Sequence, residues 1–314
     1  MIQKILFISM LIIVSTILVT FIIYGIITYK VFLNVFKRKK CYSLLDLDLS
    51  KTHYARNLDK IRKNIEDLRN RPCEVVSIKN DGLSLKARFY NNNSMNTVIM
   101  AHGYHAQAFN NFHASFISFF NHGYNVLMID ERAHNDSEGD FTTVGIKEEY
   151  DLLKWIKWVE DNTNTKNIIL YGVSMGAATV GYASNKLDET KVKGIILDCG
   201  FTSFYDEVFF QQRNRKFLFL ILFFLRLYAK MFLHIDIKKS TIECLRECKK
   251  PAYFIHGLDD EMVPIEHTIA AYNAVTVDKK AHYVPSCGHT TAFLIDYDYL
   301  DKDVFLFFDK YIEK

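Results

Sequence analysis

The chain has 314 residues, of which 49% are hydrophobic and 24% are charged, and its formal net charge is +3. This composition is globular and excludes long disordered or low-complexity regions. The small net charge, without a basic stripe along the chain, argues against a nucleic-acid partner. The six cysteines do not have the spacing of a small disulfide scaffold, and Cys244 and Cys248 lack a second Cys or His pair at zinc-finger spacing, so we predict no metal site.

The first predicted element is an apolar helix near the N-terminus. The run Ile5–Tyr29 contains 25 residues without a charge, which exceeds the roughly 20 residues that cross a bilayer core. Lys30-Val31-Phe32-Leu33 follows it in place of a small-residue cleavage site. We therefore expect an uncleaved membrane anchor over residues 1–30. The basic run Lys37–Lys40 beyond it favours, by the positive-inside rule, a body on the cytoplasmic side of the cell membrane.

Residues 31–72 are predicted to form a basic juxtamembrane segment and a connector helix. Leu58, Ile61, Ile65 and Leu68 recur at helical spacing with charges between them. This pattern predicts an amphipathic helix that packs on the body or rests on the membrane surface.

From Cys73 onward, predicted strands and helices alternate. The predicted strands are 74–79, 83–90, 97–101, 124–130, 167–171, 194–198, 252–256 and 281–284, and the predicted helices are 109–121, 146–159, 177–185, 266–275 and 300–312. Asn80-Asp81-Gly82 between the first two strands indicates a hairpin. The alternation predicts an α/β fold with a mostly parallel central sheet flanked by helices.

An insertion at about residues 200–250 interrupts this alternation. It contains Phe217–Leu225, nine consecutive apolar residues behind Arg213, Arg215 and Lys216. Nine residues are too few to span a bilayer. We predict a helical cap over the active site; a helix resting on the membrane is a second interpretation, compatible with the first.

The segment Gly172-Val173-Ser174-Met175-Gly176 is a candidate nucleophile elbow. The Gly-x-Ser-x-Gly pattern lies between an apolar predicted strand and a predicted helix, which is the setting that an exposed nucleophilic serine requires. A serine hydroxyl needs a base, a group that orients the base, and donors for the developing oxyanion. Ser174 is therefore the predicted nucleophile.

The remaining parts of such a site follow along the chain. His289, on a loop after a predicted strand, is the candidate base, and Asp259 or Asp260 is the candidate acid; spacing alone does not separate the two. The backbone N–H groups of Met175, after the nucleophile, and of Tyr104, after an early strand, are the candidate oxyanion hole.

Four blocks of the sequence together resemble the bacterial α/β-hydrolases related to the prolyl-oligopeptidase (dipeptidyl-aminopeptidase/acylaminoacyl-peptidase) group. These blocks are His102-Gly103-Tyr104, the stretch 130–139, Gly172–Gly176, and His256–Pro264 followed by Gly288-His289. The resemblance implies an α/β-hydrolase domain over residues 73–314.

The resemblance also implies roles for single residues. The family pattern H-G-x-x-D-x-x-V-P makes Asp260 the acid and leaves Asp259 at a variable position. Asn135 stands where the family usually has glycine, and asparagine tolerates a positive φ better than most residues. Arg132 and His134 are expected to order their loop by hydrogen bonds, without a catalytic role. Asp198 is interpreted as a structural carboxylate or a substitute acid.

The predicted function is that of a membrane-anchored serine hydrolase which cleaves carboxylic esters or thioesters. The apolar insertion and the anchor favour a small acyl ester or a lipid-like substrate. A peptidase of the prolyl-oligopeptidase type is the alternative, although residues 30–72 are too few for the N-terminal propeller that such peptidases often carry. A non-catalytic, membrane-tethered binding module is a third hypothesis. Triad chemistry requires no cofactor, so none is predicted.

Overall fold

An eight-stranded sheet forms the centre of the computed structural model, which describes residues 2–49, 52 and 54–313. Its strands are β1 (Glu74–Asn80), β2 (Leu83–Tyr90), β3 (Asn96–Ala101), β4 (Asn125–Ile129), β5 (Asn167–Val173), β6 (Val192–Asp198), β7 (Ala252–Gly257) and β8 (Lys279–Val284). The spatial order is β1-β2-β4-β3-β5-β6-β7-β8, in which β1 and β2 are antiparallel to their neighbours and the strands from β4 to β8 pair in parallel. The mostly parallel sheet agrees with the predicted alternation.

Helices cover both faces of the sheet. The helices are α1 (Ile2–Phe36), α2 (Leu58–Arg69), α3 (Ala108–Phe112), α4 (Ser115–Asn121), α5 (Glu148–Asn162), α6 (Met175–Ala183), α7 (Phe204–Gln212), α8 (Leu218–Tyr228), α9 (Thr241–Arg246), α10 (Ile265–Ala274), α11 (Ala292–Ile295) and α12 (Tyr297–Phe308). Short 3₁₀ turns lie at Leu44–Asp46, Ala55–Asn57 and Ser184–Lys186. One buried cluster joins the sheet to α2, α3, α4, α11 and α12, and another joins it to α5, α6, α9 and α10.

The parallel strands determine where the functional side chains gather. Strands β3 to β8 end at the same edge of the sheet, so the loops that follow them lie side by side. We call this the carboxyl edge. Ser174 follows β5 directly, while the segments that contain Tyr104, Asp260 and His289 follow β3, β7 and β8.

Helix α1 is long and apolar enough to cross a membrane. Its most apolar stretch has a mean hydropathy of 2.8 and is not buried by the rest of the protein that the structure describes. The helix does not end at residue 30, the predicted boundary of the anchor, but continues to Phe36. Phe32 and Phe36 are buried against the body, because the last turns of α1 pack into an apolar cluster with the insertion.

Residues after α1 continue along the carboxyl edge. The guanidinium of Arg38 donates to the carbonyls of Asn135 and Ser137, at 2.6 Å each. The amide of Tyr42 donates to the carbonyl of His105. The basic segment is therefore hydrogen-bonded to the loops that follow β3 and β4.

The insertion between β6 and β7 contains α7, α8 and α9, and a π-helical turn, Ala229–Leu233, continues α8. The predicted apolar helix at 217–225 corresponds to α8. The side chain of Gln211, at the end of α7, donates to the carbonyl of Met262. The insertion therefore contacts the loop that carries Asp260.

One predicted helix is wrong in its continuity, and another is shifted in its bounds. The predicted helix 109–121 is divided into α3 and α4. At the break, His113 is buried and its Nδ1 lies 3.4 Å from the side-chain nitrogen of Asn64 in α2. The predicted closing helix is preceded by the separate short helix α11 and ends at Phe308.

Candidate active site

Ser174 occupies a sharp turn between β5 and α6. Its φ of 56° and ψ of −115° are unusual for a residue with a side chain, and such strain is typical of functional turns. The flanking glycines make the turn possible. A Cβ on Gly172 would lie 2.2 Å from the carbonyl oxygen of Gly176, and a Cβ on Gly176 would lie 1.9 Å from that of Ala101. The turn therefore requires glycine at both positions, as expected of a nucleophile elbow.

His289 bridges the serine and a carboxylate. Its Nε2 lies 2.9 Å from the Ser174 hydroxyl oxygen, and its Nδ1 lies 2.7 Å from Oδ2 of Asp260. Because a carboxylate can only accept, Nδ1–H donates to Asp260 and Nε2 is left to accept the serine proton. This is the tautomer that a general base for Ser174 needs.

Of the two acids that spacing left open, the structure brings Asp260 to the histidine. The Asp260 side chain is 1% exposed, and its Oδ1 accepts from the amides of Met262 and Val263 at 2.9 Å each. Burial alone would raise the pKa of the Asp260 carboxyl, but hydrogen bonds and charge from His289 and the Val263 amide outweigh it and lower that pKa. The side chain of Asp259 lies in an exposed part of the loop.

The loop after β7 that carries Asp260, which we call the acid loop, is hydrogen-bonded to His256. The ring Nε2 donates to the carbonyl of Val263 at 3.0 Å, and Nδ1 lies 2.8 Å from the hydroxyl of Thr268 in α10. Burial lowers the pKa of His256 below its ordinary value, which favours the neutral ring. A neutral ring with both nitrogens bonded fixes the position of the Asp260 turn.

Met175, one of the two residues predicted to form the oxyanion hole, follows Ser174 directly, and the loop that contains the other, Tyr104, approaches Ser174 closely. Met175 is the first residue of α6, and the first amides of a helix have no partner inside the helix. The loop after β3 approaches so closely that a Cβ on Gly103 would lie 3.3 Å from Cβ of Ser174. The Gly103 amide donates to Asn111, and Tyr104 is the next residue along this loop. The phenol of Tyr104 donates to the carbonyl of Val35 in α1 at 2.5 Å.

The loop after β4 is ordered by buried polar groups, as predicted. The guanidinium of Arg132 donates to both carboxylate oxygens of Asp151 in α5, at 2.7 and 2.8 Å. His134 accepts from the amide of His105 at 3.0 Å, and burial lowers its pKa well below the ordinary value. Asn135 has a φ of 44°, which explains how it replaces glycine. These residues hold the loops around the serine.

Asp198 lies at the end of β6 and is fully buried. Its hydrogen-bond partners differ from those of Asp260, which accepts from Nδ1 of His289. Its backbone carbonyl accepts from the amide of Ser174 at 2.8 Å, and its Oδ2 accepts from the phenol of Tyr171 at 3.0 Å. Burial raises the pKa of Asp198 to about 7. Its contacts are those of a structural carboxylate.

Cys199 is the third member of a group with Asp260 and His289 whose potential ligand atoms lie within 4.8 Å of one another. Both nitrogens of His289 are already engaged with Asp260 and Ser174. Burial raises the pKa of the Cys199 thiol well above its usual value, which disfavours the thiolate that binds metal. The arrangement therefore suits proton transfer between Ser174 and His289 better than it suits a metal.

Sequence reasoning missed two neighbours of the site. The phenol of Tyr54 lies 3.0 Å from the hydroxyl of Thr290, next to the histidine. The end of α1 reaches the loop after β3 through Val35 and Tyr104. Both contacts join residues distant in sequence, and neither segment carries a local motif that could have predicted them.

Comparison with known proteins supports a common architecture. A sequence profile of the X-Pro dipeptidyl-peptidase family (S15) matches residues 81–217. The chain is 27% identical over 205 residues to the uncharacterized protein YqkD of Bacillus subtilis, covering 63% of this chain and 66% of that protein. It is 30% identical over 200 residues to the alpha/beta hydrolase domain-containing protein WAV2 of Arabidopsis thaliana, covering 60% and 61%. The matches thus span slightly less than two thirds of these curated relatives.

Solved structures agree with this result. The esterase Pf2001 of Pyrococcus furiosus superimposes with a TM-score of 0.62 and 25% identity, over 78% of this chain and 95% of that one. Est1E of Butyrivibrio proteoclasticus, with bound ferulic acid, superimposes with a TM-score of 0.59 and 18% identity, over 75% and 99%. The latter identity supports the fold alone. Together the comparisons confirm the predicted α/β-hydrolase fold and the predicted relation to the prolyl-oligopeptidase-like group.

Proposed function

We propose that this chain, which resembles the α/β-hydrolases in sequence and fold, is a membrane-anchored serine hydrolase that cleaves carboxylic esters or thioesters. The observation that carries this proposal is the continuous hydrogen-bonded line from Ser174 through His289 to Asp260. The likeness to an esterase along 95% of its chain favours ester substrates.

The first half of the reaction transfers the acyl group to Ser174. His289 Nε2 takes the hydroxyl proton while Oγ attacks the acyl carbon, and Asp260 stabilises the imidazolium that forms. The carbon–oxygen or carbon–sulfur bond to the leaving group then breaks, and the imidazolium gives its proton to the departing alcohol or thiol. The amides of Met175 and Tyr104 stabilise the oxyanion, and loss of one such donor typically costs 10²–10³-fold in rate.

The second half releases the acid. A water molecule gives a proton to His289 Nε2 and attacks the acyl carbon of the ester at Ser174. The bond between that carbon and Oγ breaks, Oγ takes the proton back, and a carboxylic acid leaves. No redox partner or cofactor enters this balance.

A peptidase activity is the second candidate, because the S15 profile covers the segment that contains the β4 loop and the Ser174 turn. The same triad would attack the carbonyl carbon of the proline in an X-Pro dipeptide unit and release the amine that follows it. A panel containing p-nitrophenyl esters of increasing chain length and an X-Pro anilide separates the two activities.

The membrane anchor is part of this proposal. A cleaved signal sequence would be removed from the body, whereas Phe36 at the end of α1 is buried in the body and Arg38 is bonded to its loops. Lys37–Lys40 lie at the body end of the span, which favours a cytoplasmic catalytic domain by the positive-inside rule.

A fluorophosphonate probe tests the nucleophile. We expect it to label the wild type and Ser77→Ala, whose serine lies in the distant strand β1, but not Ser174→Ala. We expect Ser174→Ala to lower ester kcat by about 10⁴-fold or more, since triad members act as a unit. A folded wild type that neither reacts with the probe nor hydrolyses any member of the panel would favour the non-catalytic binding module.

A further inference from the structure

Helix α8 packs directly against the apolar helix α1. The rings of Phe21 and Phe224 lie 4.6 Å apart between centroids, and the phenol of Tyr228 donates to the carbonyl of Gly25 at 2.9 Å. A Cβ on Gly25 would lie 3.3 Å from the ring of Phe224, so the glycine permits this close approach. The contact extends to Tyr29, whose ring lies 5.9 Å from that of Phe232.

These contacts lie within the part of α1 that has no charges. A bilayer core takes about 20 residues of helix, so a span that begins at Ile5 ends near Tyr24. Phe21 and Gly25 therefore lie at the end of the span closer to the body, and Tyr29 lies at the level where aromatic residues meet lipid headgroups. Helix α8 is thus held at the depth of the leaflet nearest the body.

One face of α8 and its π-helical turn is apolar and exposed. Phe219 is 66% exposed, and large apolar side chains continue this surface on both sides of it. We call the surface the anchor–cap face; its exposed members are Phe217, Phe219, Phe223, Leu227, Met231 and Phe232. Such a concentration of exposed aromatic residues is unusual in contact with water and marks an interaction site.

The charges around this face complement a membrane. Arg213, Arg215 and Lys216 are exposed just before α8, and Lys39 and Lys40 are exposed after α1. Basic residues bordering an apolar helical face are typical of helices that lie in a bilayer containing anionic lipids. The combination favours a lipid surface over an acidic protein, since the apolar face adjoins the candidate span itself.

The same region leads inward to the serine. A buried apolar cluster connects Phe36 of α1 and Leu225 of α8 with Met175, beside the nucleophile, and Val263, in the acid loop. Ser174 itself is only 8% exposed. The apolar side chains of this cluster extend from the anchor–cap face to the neighbourhood of Ser174, so an acyl chain gains more from contact with them than a water-soluble substrate does.

We propose that the anchor–cap face is immersed in the same leaflet as the end of α1, and that the substrate is an acyl lipid which reaches Ser174 from that leaflet. The assignment of an acyl lipid as substrate rests on the proposed hydrolase function. The immersion of the anchor–cap face does not, because it concerns only where the insertion lies.

Fluorescence quenching tests the immersion. The full chain carrying Phe219→Trp is reconstituted in vesicles of phosphatidylethanolamine and phosphatidylglycerol, with and without bromine atoms on the acyl chains. After subtraction of the signal of Trp155 and Trp158, measured with the wild type, we expect the brominated lipid to lower the emission of the added tryptophan by about twofold or more.

Leu306→Trp is the matched control. Leu306 is 64% exposed, similar to Phe219, but it lies in the last turn of α12. After α12, the amide of Glu313 donates to the side chain of Asn167 at the start of β5. This end of β5 lies at the edge of the sheet opposite to Ser174. We expect no quenching of this tryptophan. Equal quenching of the two variants, or none of Phe219→Trp, would overturn the proposal, as would shielding of Phe219→Trp by a second copy of the chain.

A ratio of activities tests delivery from the leaflet. The rate on phosphatidylglycerol in vesicles is divided by the rate on a soluble p-nitrophenyl butyrate for Phe219→Glu and for Leu306→Glu. A charge in the anchor–cap face opposes immersion, so we expect the ratio to fall about tenfold or more for Phe219→Glu only. An unchanged ratio overturns lipid delivery. If the wild type hydrolyses neither substrate while the quenching result holds, the hydrolase proposal fails and the immersion stands.

Discussion

The carboxyl edge and the anchor–cap face are built in opposite ways. At the carboxyl edge, the polar side chains of Asp260 and His256 are buried, and hydrogen bonds to the backbone of the loop after β7 compensate for the loss of water. At the anchor–cap face, large apolar side chains such as Phe219 and Phe223 are exposed. Burial of polar groups fits a site that positions protons, whereas exposure of apolar groups fits a surface meant for a lipid environment.

The two regions are also physically joined. Tyr104, in the loop beside Ser174, donates a hydrogen bond to Val35 of α1. Phe36 packs against Phe204 of α7, with ring centroids 5.6 Å apart. The end of α1 is therefore part of the wall around the site and is held in a fixed position relative to Ser174.

The largest expected effect concerns the buried acid of the carboxyl edge. We expect Asp260→Asn to lower ester kcat by about 10⁴-fold, because an amide cannot stabilise the imidazolium and favours the wrong tautomer of His289. The exposed neighbour Asp259 supplies the control, and Asp259→Asn should retain nearly the wild-type kcat. Steady-state hydrolysis of p-nitrophenyl butyrate measures both. Similar losses in the two variants would contradict the assignment of the acid.

The next effect tests whether the end of the anchor belongs to the body. Phe36 is 0% exposed, so we expect Phe36→Ala to lower the free energy of unfolding by about 3–5 kcal/mol through lost burial and a cavity. Leu306→Ala, at an exposed position, should change it by less than about 0.5 kcal/mol. Chemical denaturation of the detergent-solubilised full chain measures both. Equal stability of the two variants would mean that α1 ends before the body begins.

The smallest effect concerns Asp198, whose Oδ1 is buried without a hydrogen-bond partner among the described residues. Its pKa is raised to about 7 in the folded protein, above the ordinary value of 3.8, so the unfolded chain ionises first. Asp198 therefore makes stability fall as pH rises from about 4 to about 7, by up to about 4 kcal/mol. Asp198→Asn removes this titration.

Denaturation of the wild type and Asp198→Asn at several pH values checks this expectation. The stability of the variant relative to the wild type should increase between pH 4 and pH 7 and then level off. Other acids are common to both proteins and cancel in the difference. A difference that is independent of pH would show that Asp198 is already ionised in the folded protein.

Local patterns in the sequence predicted most strands of the sheet and the turn at Ser174, because residues adjacent in the chain determine these features. The predicted strands 167–171 and 252–256 lie within β5 and β7 and are mostly apolar, as is typical of buried parallel strands. The interruption at His113 was not predictable, because it depends on packing against α2, which is distant in sequence. The continuation of α1 to Phe36 depends in the same way on Phe204.

The amino-acid sequence by itself determined the nature of the elements: a span-length apolar helix, alternating strands and helices, and the glycines that Ser174 requires. The tertiary structure decided which carboxylate meets His289, since Asp259 and Asp260 are adjacent and only the turn after β7 directs one of them inward. It also decided that the end of α1 and the insertion pack into one buried apolar cluster beside the serine. The physical reason is that periodicity and spacing describe neighbours along the chain, whereas these contacts join segments that are 29 or more residues apart.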